Sequence, residues 1–130
     1  MAFNTPEQQE VKAAVDDLVS AGIAADVPAL QKMYHDEISV HMLDCEGHVE
    51  LLDKAAFIAS FVHMAETNPK GANDWIRYES ISRHGKNAHV IFNRKIMRDG
   101  EKWFLTLSID LIYEQERWQV IREVIFNRPI

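Results

Sequence analysis

At 130 residues the chain is the size of one domain built around one core. Its 47% hydrophobic and 26% charged content are those of a folded globule, not of a disordered chain. A formal net charge of −6 argues against a surface that tracks phosphates, and no apolar run is as long as a bilayer span, so neither nucleic acid nor membrane is expected as a partner.

The opening MAFNTPEQQE has no basic region ahead of an apolar run, so no secretory leader is read there. Thr5-Pro6 followed by Gln8 supplies an N-cap, a first-turn proline and a capping-box partner. Val11, Ala14, Val15, Leu18 and Val19 recur at helical spacing, and Gly22 reads as the stop. Asp26 caps a second, short helix with Leu30, Met33 and Tyr34 on its apolar face, running out in a solvated His35-Asp36-Glu37. Ile38 to Leu43 alternates like a strand and ends in the turn Asp44-Cys45-Glu46-Gly47. Cys45 is the sole cysteine; it lacks an adjacent basic activator and reads as an inert thiol in a reducing compartment, the cytoplasm. Asp53 caps a third helix, with Phe57, Ile58, Phe61, Val62 and Ala65 on one face and Asn68-Pro69 as its stop.

From Asn73 onward the chain reads as strands, at 75–83, 88–97, 103–113 and 118–126. The connections His84-Gly85-Lys86, Asp99-Gly100 and Gln115-Glu116 are short hairpins. Three helices followed by a meander of long strands predict an α+β fold, a curved antiparallel sheet wrapped over three N-terminal helices.

The longest strand, WFLTLSIDLIY, carries Trp103, Leu105, Leu107, Ile109 and Leu111 on one face and Phe104, Thr106, Ser108, Asp110 and Ile112 on the other. A two-residue turn at Asp99-Gly100 pairs Arg98 with Glu101, and counting back sets His89 opposite Asp110, Ile91 opposite Ser108, Asn93 opposite Thr106 and Lys95 opposite Phe104. The flanking hairpins add Ser82, Ser80, Tyr78 and Ile76 on one side and Ile121, Glu123 and Ile125 on the other. One face thus gathers His89, Asp110, Glu123, Tyr78, Asn93 and several hydroxyls, and is expected to look into a cavity against the helices. The other face, with its Leu105–Leu111 row, is expected to pack on a second copy of the chain. A one-residue slip in any hairpin would exchange the faces.

"AADVPALQKMYHDEISVHM" and "WFLTLSIDLIYEQERWQVIREVIF" resemble the nuclear transport factor two-like superfamily, in particular its SnoaL-like and lumazine-binding-like branch. That resemblance spans nearly the whole chain. It implies a cone-shaped sheet around a pocket, and a distant likeness to ketosteroid isomerase and scytalone dehydratase. Against ketosteroid isomerase, "LSIDLIY" sets Asp110 on the oxyanion-hole aspartate. The first-helix tyrosine falls on Leu18 and the catalytic base on Met42, so steroid isomerisation is not implied.

Asp110 and His89 are the candidate catalytic pair, read either as an acid/base or ligand-orienting couple or as a polar pair that fixes sheet register. Tyr34, Met42, Phe57, Phe61, Tyr78, Asn93, Ser108 and Glu123 are the candidate ligand-binding residues. Six histidines occur without an HxH or HExxH pattern, so no metal and no cofactor are expected. The leading expectation is a mostly apolar pocket for a small organic molecule in a homodimer, with proton transfer of the isomerase or dehydratase type as its chemistry. The alternative is a non-catalytic assembly or protein-binding module whose polar cluster is structural.

Overall fold

The computed structural model describes residues 3–67 and 74–130, so the expected stop at Asn68-Pro69 and the start at Asn73 lie outside the described residues. Three helices and six strands follow in the order α1 (Pro6–Ala24), α2 (Val27–Met33), β1 (Tyr34–Leu43), β2 (Val49–Leu52), α3 (Lys54–Thr67), β3 (Ile76–His84), β4 (Asn87–Arg98), β5 (Glu101–Glu114) and β6 (Arg117–Pro129).

The helix starts are those the caps encode. Thr5 and Gln8 form the reciprocal capping box ahead of α1, and Asp26 and Asp53 accept from the backbone N–H of Ala29 and Ala56. The stop of α1 differs: Gly22 lies within the helix, which ends at Ala25 in the left-handed region with φ 51°. Gly22 serves packing instead, because a Cβ there would lie 2.9 Å from the Phe61 ring of α3. A further difference concerns His35-Asp36-Glu37, which belongs to β1, not to a fraying helix end. β2 was not expected, since only four residues pair there, three of them exposed, and no apolar alternation marks it.

The six strands form one sheet in the order β2-β1-β6-β5-β4-β3. Every pair is antiparallel except β1 with β6, which run parallel. The central register is the expected one, with Arg98 opposite Glu101 and His89 opposite Asp110. Asp99 and Gly100 adopt φ values of 52° and 81°, the left-handed pair that a two-residue hairpin matched to strand twist requires.

Two bulges alter the outer registers. On β3 the ladder shifts between Tyr78 and Ser80, so Tyr78 faces Phe92 and Ile76 faces Arg94. On β6 Leu111 pairs with Val120 but Asp110 with Arg122, leaving Ile121 without an opposite. Beyond that point Glu123 pairs with Ile109 and Ile125 with Leu107, the reverse of the faces expected from an unbroken alternation.

The helices cover the face carrying Val90, Phe92, Ile96, Leu105, Leu107, Ile109 and Leu111, which form one buried cluster with Val11, Val15 and Leu18 of α1 and Phe57, Ile58 and Phe61 of α3. The Leu105–Leu111 row expected at a dimer contact is therefore the core of the chain itself. The row of Phe104, Thr106, Ser108, Asp110 and Ile112 is half-buried and lies on the outer face. An apolar-in, mixed-out alternation is what a sheet with one helical layer needs. Among the described residues no helix is long and apolar enough to cross a membrane.

Candidate functional site

Under the helices the inner face leaves a cavity of about 130 Å³. Its floor is sheet, with Phe92, Arg94 and Ile96 from β4, Leu105 and Leu107 from β5, and Glu123 and Ile125 from β6. Its aromatic wall comes from Tyr34 at the first position of β1 and from Phe57 and Phe61, one turn apart on α3. Ring centroids lie 5.2 Å apart for Tyr34 and Phe57 and 5.0 Å for Phe57 and Phe61, both edge-to-face. Ser60, His63 and Met64 of α3, Met42 of β1 and Arg98 of β4 complete the lining.

Three polar side chains interrupt this apolar lining at depth. Glu123 is 2% exposed, and burial pushes its carboxyl up to about 8 against the opposing pull of the Arg94 charge. Arg94 is buried as well, which lowers its pKa from the usual guanidinium value; Tyr34, Glu123 and the exposed Asp74 act on it in the other direction. Tyr34 is 3% exposed, and its phenol is raised well above 10 by burial first and by Glu123 second. At neutral pH the inner end of the cavity therefore presents a protonated carboxyl and a protonated phenol beside a guanidinium, all of them hydrogen-bond donors.

Nearer the rim Arg98 is held from two sides. Its guanidinium donates to Asn127 Oδ1 at 3.2 Å and lies 4.6 Å from the centre of the Trp103 ring. Asn127 in turn donates to the Leu43 carbonyl at 3.3 Å, tying β6 to the end of β1. Across the rim His63 of α3 meets Asp99 at 3.2 Å.

Of the expected binding residues, Tyr34, Met42, Phe57, Phe61 and Glu123 meet in this cavity. Asp110 and His89 do not: they are cross-strand neighbours as expected, but on the outer face. There His89 Nε2 lies 2.7 Å from Ser108 Oγ, and Arg122 stands opposite Asp110 on the other side. Asn93 also faces outward, donating to Glu79 at 2.8 Å and accepting from Thr106 at 2.7 Å. Tyr78 reaches the inner face through the β3 bulge but spends its hydroxyl on Asp16 of α1 at 2.6 Å, outside the cavity. The placement of Asp110, His89, Asn93 and Ser108 in the pocket is thus corrected, and the cause is the choice of face.

Arg94 and Arg98 were missed, and their signal was present in the sequence. In Val90, Phe92, Arg94, Ile96 and Arg98, two cations punctuate an apolar row at period two. A shallower hollow of about 400 Å³ lies at Ala14, Asp17, Ala29, Lys32, Met33, Arg117 and Trp118. Its charged lining is exposed or half-buried, and Arg117 is already engaged with the Lys32 carbonyl. Among the described residues no three His, Cys, Asp or Glu side chains cluster as metal ligands would.

No protein-family model and no curated protein matches the sequence. Solved structures do resemble the fold. An NTF2-like protein from Silicibacter pomeroyi is 21% identical at a TM-score of 0.72, over 92% of this chain and 94% of that one. An NTF2-like protein from Shewanella baltica is 16% identical at 0.74, over 98% and 100%. A ketosteroid isomerase-like protein from Erwinia carotovora atroseptica is 16% identical at 0.67, again over 98% and 100%. At such identities the likeness speaks for architecture and not for activity. With three helices laid on one face of a six-stranded curved sheet, this chain has the nuclear transport factor two-like fold.

Proposed function

We propose that this domain binds a small, largely apolar organic molecule between α3 and the sheet, with one polar oxygen of that molecule at Glu123 and Tyr34. The observation that carries the reading is a carboxyl buried to 2% exposure on the wall of a largely apolar cavity. A carboxyl that stays protonated at neutral pH can donate to a carbonyl or hydroxyl oxygen, and one that titrates near 8 is suited to exchange a proton close to physiological pH. Proton transfer of the isomerase or dehydratase type is the chemistry this arrangement offers, with Glu123 as the group that carries the proton. At about 130 Å³ the space suits one ring rather than four fused ones, being close to the roughly 150 Å³ that holds a benzene. The setting proposed is the cytoplasm, which the exposed lone thiol of Cys45 suits.

Phenol and cyclohex-2-enone test the reading. Each is expected to shift backbone amide resonances around Tyr34, Phe61, Leu107 and Glu123, and the wild-type protein is expected to speed exchange of the ketone's acidic C–H protons in D2O more than Glu123→Gln does. Saturable shifts confined to the outer face, or none with either probe, would refute it.

A second reading draws on the outer face. Val49 and Phe126 flank Leu43 in one cross-strand row and Leu51 and Val124 flank His41 in the next, and Val49, Leu51 and Phe126 are 56%, 68% and 48% exposed. This strip supports a homodimer formed through the outer face, in place of the core row first expected to serve, and a monomer in sedimentation at micromolar concentration would count against it.

A further inference from the structure

Building on the pocket reading above, we propose that the ligand is an anion, a one-ring organic acid whose carboxylate sits on Arg98 at the rim while a hydroxyl or carbonyl on the far side of the ring reaches Glu123 and Tyr34.

The two ends of the cavity differ in what they can recognise. Arg94 and Arg98 lie on the same face of β4, four residues apart, which sets their backbones about 13 Å from each other along the strand. Between them the lining is hydrocarbon and aromatic: Ile96, Leu105 and Leu107 below, Phe57 and Phe61 above. A single ring with substituents at opposite positions bridges such a gap once the side chains reach inward.

Arg98 is built as a receptor for a carboxylate. It is half-buried, and burial outweighs the pull of the acidic residues around it, Asp99, Glu50 and Glu101. Among the described residues no carboxylate lies within ion-pair distance of it: Asp99, the next residue, meets His63 instead. Asn127 and the Trp103 ring fix the guanidinium plane, so little freedom is left to lose when a ligand arrives. A guanidinium presents a planar fork that matches a carboxylate with two parallel hydrogen bonds. One bond to Asn127 leaves donors free for that fork.

The charge inventory of the lining agrees. Its cationic side chains are Arg94 and Arg98, and its one carboxyl, Glu123, stays protonated at neutral pH. An acidic protein with a net charge of −6 thus encloses a cavity of positive sign. Seated at the rim, the ligand's carboxylate stays partly hydrated, which avoids the cost of burying an ion among hydrocarbon.

Calorimetric titration of the wild-type protein at pH 7 with 4-hydroxybenzoate, 4-hydroxybenzamide and phenol tests this. The acid is expected to bind at least tenfold more tightly than the amide, and raising NaCl from 50 to 500 mM, on the order of the range over which exposed charges become screened, should weaken the acid several-fold while sparing the amide. Arg98→Gln, which removes the charge and the guanidinium fork, should reduce the acid-over-amide preference to below twofold, and Arg98→Lys should keep an intermediate preference. Equal binding of acid and amide to the wild type, or a preference that survives in Arg98→Gln, would overturn the proposal. If phenol and the amide bind and the acid does not, the pocket reading stands and the anion inference falls. If none of the three binds, both fall.

Discussion

Glu123→Gln should remove a pH dependence of stability that runs opposite to that of most carboxylates. Folding pushes the Glu123 carboxyl from 4.5 up to about 8. Below the lower value both folded and unfolded chains hold the proton, and the residue contributes no pH dependence. Between the two values the unfolded chain has released its proton and the folded chain has kept it, so stability falls as pH rises. Above about 8 both forms are ionised, and the whole penalty of a buried carboxylate is felt. Each pH unit of that window costs about 1.4 kcal/mol, so its full width amounts to roughly 5 kcal/mol at most. That is a large share of the 5–15 kcal/mol by which a domain is usually stable.

Glutamine has nearly the same shape and cannot ionise. The variant should match the wild type within about 1 kcal/mol at pH 5 and exceed it by several kcal/mol at pH 9. Guanidinium unfolding at one-unit intervals from pH 5 to 9, taken as variant minus wild type, isolates the contribution of Glu123. The exposed carboxyls of Glu10, Asp36, Asp44 and Glu79 are held below their usual range by hydrogen bonds and cations, so their effects fall at the acid end of the scale. Parallel pH profiles for the two proteins would refute the protonated, buried Glu123.

Gly22→Ala should destabilise the fold by about 1–2 kcal/mol despite the better helix propensity of alanine, because its Cβ would press on the Phe61 ring at 2.9 Å; a raised melting temperature would contradict the close approach of α1 and α3. Asp110→Asn should leave the affinity of any cavity ligand within twofold and stability within about 1 kcal/mol, since Asp110 is half-buried on the outer face; a tenfold loss of affinity on titration would return it to the site.

The fold was legible because its signals are local. A capping box, three aspartate or threonine caps and three two-residue hairpins fix where elements begin and turn, and the register of β4 against β5 follows from the Asp99-Gly100 turn by counting. The site was less so, for two reasons. Alternation says which residues share a face but not which face the helices cover: the polar interruptions at His89 and Asp110 suggest a pocket, whereas the unbroken Leu105–Leu111 row is the face that must be buried. Bulges at Glu79 and Ile121 then carried Tyr78 and Glu123 across the sheet, and neither a glycine nor a proline marks them. Glu123 shows how the two combine: counted without the bulge it joins Asp110 on the outer face, and counted with it the same carboxyl stands on the wall of the cavity. One extra residue in β6 thus separates an outward-facing side chain from a proton-bearing group at the centre of the proposed site.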